Sequence, residues 1–350
     1  MDHRPLRVAL IGYGMAGEVF HAPLIAGTRS LVLAAVVTSD PARKAKVATS
    51  FSEALILSSP DEVWADPLRF DLVVIASPNR THVPLALAAV EAGLPVVVDK
   101  PVAATVADAI QLKAAAEARG VPVAVFQNRR WDGDFLTLRN LLEQHALGPV
   151  HRFESRFERW RPEPSRSAWR ESPDPADAGG VLYDLGSHLI DQALVLFGPV
   201  ASVHAELRRV RLGVQVDDDA FIALLHQNGT VSHLWASLVA ANGGPRLRVL
   251  GLEGAFVKFG LDIQEDLLRQ GADPRSGDWG SEPEEQRGCI EIGSKTRPVV
   301  TVPGRYRSFY ELMADALLSG GPIPVTMDDA IATLRVIEAA QDVRHRSASS

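Results

Sequence analysis

The sequence contains one cysteine, Cys289, so an internal disulfide is excluded and a reducing compartment is expected. It has no basic excess. Its 36 Lys and Arg stand against 43 Asp and Glu, a formal net charge of -7, and a nucleic acid or an anionic membrane would call for a basic face. No apolar run reaches the roughly 20 residues of a membrane helix. The opening "MDHRPLRVALIGYG" enters a strand pattern within a few residues, which leaves no room for a signal peptide. The expectation is a cytoplasmic protein with neither nucleic acid nor membrane as partner. Internal repeats and low-complexity tracts are also absent. What remains is ordinary globular composition, 46% hydrophobic and 23% charged over 350 residues, a length that favours two domains.

The first third alternates short aliphatic runs with helical patterns. "LRVALIGYG", "LVLAAVVTS", "FDLVVIASP", "LPVVVDK" and "VPVAVFQN" are apolar on both faces, as strands covered by helices on both sides must be. "THVPLALAAVEAG" and "TVADAIQLKAAAEARG" are helices closed by Gly93 and Gly120. This βαβ rhythm predicts an N-terminal doubly wound parallel sheet. After about residue 126 the pattern changes to a helix, an alternating strand "VHRFESRFERW", a Pro-rich stretch and an apolar helix "LGSHLIDQALVLFG". Period-2 strands follow, with a hairpin turning at Asn228-Gly229. The expected fold is α/β: a Rossmann domain over 1–126 and an α+β domain with a mostly antiparallel open sheet over 127–350. "VDDDA", Val216 to Ala220, reads as a solvated charged turn.

"GYGMAG" places Gly12, Gly14 and Gly17 directly after a strand and before a helix. Gly12 permits the tight turn, Gly14 lets backbone amides approach a pyrophosphate, and Gly17 lets helix and strand pack closely. A dinucleotide site is expected on the whole loop, Tyr13, Met15 and Ala16 included. The next strand ends in Thr38-Ser39 rather than the acid that holds a ribose 2′-OH. Asp40 precedes Pro41, which suits a helix N-cap. Hydroxyls at Thr38 and Ser39, with Arg43 or Lys44 nearby, favour NADP, with NAD as the alternative.

"VVVDKP" puts Lys100 at the carboxyl end of a parallel strand, where nucleotides bind. "AGGVLYDLGSHLIDQALVLFG" places Asp184 as an expected N-cap, with His188 four residues on and on the same face. A His beside a carboxylate is a suitable general base for an alcohol proton. The bland readings are a surface lysine, a plain cap and a core histidine. A metal set of Asp184, His188 and Asp191 has no further His or Cys at ligand spacing behind it, so none is expected.

The ordered motifs "GYGMAGEVFHAPLI", "ASPNRTHVPLA", "VVVDKP", "FQNRRWDGDFLTL" and "GGVLYDLGSHLIDQAL" resemble the Gfo/Idh/MocA oxidoreductases, nearest to the NADP-dependent scyllo-inositol dehydrogenase subgroup. The resemblance implies a catalytic set of Lys100, Asp184 and His188. It also implies nucleotide contacts from Tyr13, from Ser77, Pro78, Asn79 and His82 of the "SPNRTH" loop, from Asp99 (where most of the family has Glu), from Lys100 and Asn128, and from Trp169 and Arg170. "RRW" alone would read equally as a solvated basic face. The implied function is NADP-dependent interconversion of a secondary alcohol and a ketone on a cyclic polyol or sugar, by a homodimer or homotetramer. Lys100 or His188 would take the proton. An NAD-dependent aldose 1-dehydrogenase or keto-sugar reductase is the second reading, and a sugar-sensing regulator without chemistry the third.

Overall fold

A computed structural model describes residues 4–164 and 169–347 of the chain. The chain divides into two compact units. The first comprises Met1–Asn128, Gln264–Trp279 and Arg305–Ala330; the second comprises Arg129–Ile263, Gly280–Gly304 and Ile331–Ser350. Two later segments that a division at residue 126 assigns to the second domain therefore pack with the first.

The first unit is built on six strands: β1 (Leu6–Ile11), β2 (Leu31–Val37), β3 (Leu55–Leu57), β4 (Leu72–Ile75), β5 (Val96–Asp99) and β6 (Val123–Phe126). They lie in the order β3-β2-β1-β4-β5-β6, all parallel. The direction of winding reverses between β1 and β4, and in open α/β sheets ligands bind beyond the carboxyl ends at that point. Val8, Leu10, Leu72, Val74, Val96 and Val98 are fully buried, because helices cover both faces. Burying each such side chain contributes about 1.5–3 kcal/mol. The helix Pro41–Ser50 starts as its sequence demands: Asp40 Oδ1 accepts from the N–H groups of Ala42 (2.8 Å) and Arg43 (3.1 Å). Thr105 caps Val106–Arg119 through the Asp108 N–H, and Gly120, at φ 63°, ends it in the left-handed region. The returning helix Arg307–Ser319 buries Phe309, Tyr310 and Met313 in this unit, where Phe309 meets Phe126 edge-on at 5.0 Å.

The second unit carries an eight-stranded sheet. Its strands are β7 (Val150–Glu158), β8 (Val200–Arg208), β9 (Asp219–His226), β10 (Val231–Ser237), β11 (Leu247–Gly251), β12 (Ala255–Lys258), β13 (Cys289–Ile292) and β14 (Lys295–Pro298). The order is β14-β13-β12-β11-β7-β10-β9-β8. Every pairing is antiparallel except β7 with β10. The β9–β10 hairpin turns where Asn228-Gly229 places it, with Gly229 at φ 87° and Asn228 Oδ1 accepting from the Thr230 N–H. β9 and β10 alternate buried and part-exposed residues, so the sheet has one covered face. Helix Ser187–Phe197 buries Leu189, Ile190 and Ala193, and Phe197 meets Phe153 of β7 at 5.4 Å.

"VDDDA" is not a solvated turn. Asp218 is fully buried and accepts from the N–H groups of Val210 (2.7 Å) and Arg211 (3.0 Å) and from Arg211 Nε (2.9 Å). Asp217 accepts from the Leu182 N–H at 2.7 Å. Backbone amides without strand partners are what these carboxylates satisfy.

Candidate active site

In the first unit each loop singled out from sequence leaves the carboxyl end of a parallel strand. Gly12 to Gly17 follow β1, Thr38 and Ser39 follow β2, Ser77 to Asn79 follow β4, Asp99 and Lys100 end and follow β5, and Asn128 follows β6. The first and third of these flank the switch point between β1 and β4. The glycines divide the labour. Gly12, at φ 99°, would place a Cβ 2.6 Å from the Ala76 carbonyl oxygen. At Gly17 a Cβ would stand 2.2 Å from the Gly12 carbonyl oxygen. Gly14 faces open space, with nothing within 4 Å of its would-be Cβ. Two glycines let protein approach protein, and the third leaves room for something else to approach the backbone. A dinucleotide pyrophosphate fits that arrangement.

At the tip of β2, Thr38 is buried and its N–H donates to the Leu57 carbonyl at 2.9 Å. Ser39 is exposed. Asp40 is occupied as the helix cap, and the Arg43 and Ala42 N–H groups hold its carboxyl below the usual range. Lys44 lies beside this tip, its Nζ donating to Ser58 Oγ at 2.8 Å.

The loops after β4 and β5 are tied together by His82. Its Nδ1 lies 2.8 Å from the Pro101 carbonyl oxygen and its Nε2 2.9 Å from that of Ser77. Burial pushes its pKa down, against the opposing pull of Asp99. Both ring nitrogens face main chain, so His82 ties the two loops to each other. Thr81 caps nothing with its side chain; it donates to the Pro78 carbonyl at 2.7 Å and lies 2.6 Å from Ser77 Oγ. The Lys100–Pro101 peptide bond is cis. Asp99 Oδ1 accepts from the Lys100 N–H at 2.7 Å. Burial pushes the Asp99 carboxyl up, but His21, His82 and Lys100 together hold it below the usual range. His21, which sequence reasoning passed over as part of a motif, stands with Nε2 3.7 Å from Asp99 Oδ2. Burial and, secondarily, Glu18 push the Tyr13 phenol to about 12.

In the second unit the expected cap at Asp184 is corrected. Residues Leu182–Gly186 form a π-helical turn that runs into Ser187–Phe197, and the Asp184 N–H donates to the Gly180 carbonyl at 3.1 Å. Asp184 is thus inside the helical run, and its carboxylate pairs with Arg170 Nε at 3.1 Å. His188 is buried, its ring 6.3 Å from that of Phe157. Four residues remain close to one turn in either helix type, so both side chains keep the same face. Residues 165–168 of the Arg- and Trp-rich stretch and the side chain of Trp169 lie outside the described residues. "RRW" is no solvated basic face. Arg129 and Trp131 are buried, the Arg129 guanidinium lies 4.4 Å from the Phe157 ring centroid, and Arg130 grips Asp191 at 2.6 and 2.8 Å. Among the described residues no three His, Cys, Asp or Glu gather as a metal site, and no helix is long and apolar enough to cross a membrane.

Residues 6–127 match the "Oxidoreductase family, NAD-binding Rossmann fold", and residues 135–257 match the "GFO/IDH/MocA C-terminal domain". The chain belongs to the Gfo/Idh/MocA oxidoreductase family. Among its relatives is the Escherichia coli "uncharacterized oxidoreductase YdgJ", 41% identical over 98% of this chain and 97% of the relative. Another is the Bacillus subtilis "scyllo-inositol 2-dehydrogenase (NADP(+)) IolW", 35% identical over 96% of this chain and 93% of the relative. The solved structure of the YPO2259 putative oxidoreductase from Yersinia pestis is 40% identical, with a TM-score of 0.91 over 98% of this chain and 96% of that one. As a Gfo/Idh/MocA member the protein is an oxidoreductase of the dehydrogenase class, with an NAD-binding Rossmann domain.

Proposed function

We propose that the protein interconverts a ring secondary alcohol and its ketone on a cyclic polyol of the scyllo-inositol kind, with NADP(H) as redox partner. The observation that carries this reading is the placing of Lys100 at the end of β5, one strand from the loops that flank the switch between β1 and β4. The relative that acts on scyllo-inositol with NADP(+) matches nearly the whole chain and supports the substrate class.

The residues that would hold the dinucleotide are the Gly12–Gly17 loop, Ser77 to Asn79 and Asn128, with Thr38, Ser39 and Lys44 at the 2′-position. A nicotinamide held there would supply or accept the hydride. His188 takes the proton of the substrate hydroxyl as general base. The Lys100 ammonium stabilises negative charge that develops on the substrate oxygen. Asp184, held by Arg170, orients the imidazole and balances its charge. The preference for NADP over NAD is supported by Asp40, whose cap bonds leave hydroxyls and a lysine as the groups offered to the ribose. A 2′-phosphate accepts from those donors.

The test is absorbance of the reduced nicotinamide with a panel of inositols, aldoses and keto-sugars, run with NADP(+) and with NAD(+). Turnover of scyllo-inositol with NADP(+) is expected. Lys100→Ala should lower kcat by about a thousandfold, in the range of a lost electrostatic stabiliser, while NADPH still binds. Near-normal turnover in Lys100→Ala would refute the role given to Lys100. Oxidation of an aldose at its anomeric carbon with NAD(+), and of no polyol, would replace the substrate reading.

A further inference from the structure

Beneath Lys100 lies a buried pair that the mechanism above does not use. His21 is the last residue of the π-helical turn Ala16–His21 that opens the helix after the glycine loop, and its side chain is fully buried. Its ring packs against Phe126, tilted by 46° with centroids 4.3 Å apart. Phe126 is the register partner of Asp99 on the neighbouring strand, so this contact brings the imidazole to the carboxylate. His21 Nδ1 lies 2.5 Å from the hydroxyl of Tyr310, on the returning helix Arg307–Ser319. Its Nε2 has no hydrogen-bond partner and faces Asp99 Oδ2 at 3.7 Å.

A histidine kept only for packing has both nitrogens satisfied, since a buried polar atom without a partner loses its hydration with nothing in return. Here one nitrogen is closely held while the other is aimed at a carboxylate just beyond bonding distance. The direction of the proton follows. Burial, and then the charge of Asp99, raise the Tyr310 pKa well above the usual phenol value. Its hydroxyl therefore stays protonated and can donate or accept. The Asp99 carboxylate facing Nε2 can only accept, so the ring proton sits on Nε2 and Nδ1 accepts from the Tyr310 hydroxyl. Asp99 in turn accepts from the Lys100 N–H with its other oxygen. One carboxylate thus joins the main chain at Lys100 to a tyrosine–histidine pair.

We propose that His21 and Tyr310 are positioning residues, which fix the Asp99 carboxylate and through it the backbone from which the Lys100 side chain reaches the reacting oxygen. The proposal rests on the reading of Lys100 given above. It assigns work to two residues that touch neither substrate nor nucleotide.

Four variants test it: Tyr310→Phe, His21→Leu, His21→Gln and Lys100→Ala, assayed with scyllo-inositol and NADP(+). Tyr310→Phe and His21→Leu should lower kcat roughly 10- to 100-fold, the span of a lost orienting contact, with KM for NADP(+) within about twofold. Gln can accept from Tyr310 and donate toward Asp99, so His21→Gln should recover at least about tenfold of what His21→Leu loses. A second readout needs neither substrate nor cofactor. In protein labelled with 15N-histidine, the His21 signals, identified by their absence from His21→Gln, should report the Nε2–H tautomer, and Tyr310→Phe should release that preference. An Nδ1–H tautomer in the native protein overturns the proposal. So do wild-type kcat values in Tyr310→Phe and His21→Leu beside an inactive Lys100→Ala. Should His21→Leu fail to fold, Tyr310→Phe, which removes one oxygen atom, still decides. An active Lys100→Ala defeats the catalytic reading instead, and the tautomer alone then says whether the pair serves Asp99.

Discussion

Adding one methyl group at each of the three loop glycines separates folding from nucleotide binding. At Gly17 the methyl meets backbone, 2.2 Å from the Gly12 carbonyl oxygen, and no flexible side chain can yield. At Gly12 it meets the Ala76 carbonyl at 2.6 Å, on a residue at φ 99°. Overpacking costs about 1–3 kcal/mol, and a left-handed backbone on a residue with a Cβ costs a similar amount. Gly12→Ala and Gly17→Ala should therefore unfold several degrees below wild type without ligand, at roughly 2–4 °C per kcal/mol for a domain of this size. Gly14→Ala meets nothing within 4 Å, and its unliganded melting temperature should match wild type. The same methyl fills the space a pyrophosphate would use, so Gly14→Ala should weaken NADPH binding by about 1–3 kcal/mol, or roughly 5- to 150-fold. Thermal unfolding of the unliganded protein and calorimetric titration with NADPH give the two quantities independently. If Gly14→Ala bound NADPH as tightly as wild type, the loop would not be the pyrophosphate site.

Thr38→Asp should move preference from NADP(+) toward NAD(+), and Lys44→Ala should raise KM for NADP(+) about tenfold without changing that for NAD(+), the size of one charge-assisted bond; unchanged cofactor ratios in both would remove this tip from the specificity argument. Asp218→Ala leaves the Arg211 guanidinium, 4% exposed, with Glu171 as its other carboxylate, and should cost about 3–5 kcal/mol in urea unfolding, whereas a solvated acid would cost nothing. Burial pushes the Asp71 carboxyl up, but hydrogen bonds from Arg7 and Arg4 outweigh it and bring its pKa from 3.8 to about 2. The stability this gives is complete above 3.8 and is lost as pH falls toward 2, so Asp71→Asn should lose about 2 kcal/mol at pH 7 and show a correspondingly shallower acid limb; parallel acid limbs would contradict it.

Long apolar runs made most of the first unit legible, because a strand buried on both faces has no polar period to obscure it. β3 escaped notice for the opposite reason: "LIL" is three residues long, half-exposed and at the sheet edge. The helix Arg307–Ser319 starts after Tyr306 without a capping side chain, so no local letters marked its beginning. Asp217 and Asp218 misled because an acidic run carries no mark of the amides that will face it. Asp184 misled because a cap and a residue inside a π-helical turn share the same local letters. Lys100 was legible through the conflict of a charge following an aliphatic strand. His21 was not, since its partner Tyr310 lies 289 residues further along the chain.

That distance has a bearing on how the protein is made. The Rossmann sheet is encoded before residue 128, yet the aromatic side chains of Phe309 and Tyr310 that close over Phe126 leave the ribosome some 180 residues later. Val125 also waits for Val325, whose carbonyl accepts its N–H at 3.1 Å. A nascent fragment ending at Asn128 would therefore present a sticky apolar flank to chaperones, and a soluble nucleotide-binding fragment would have to carry the segments 264–279 and 305–330 spliced onto it.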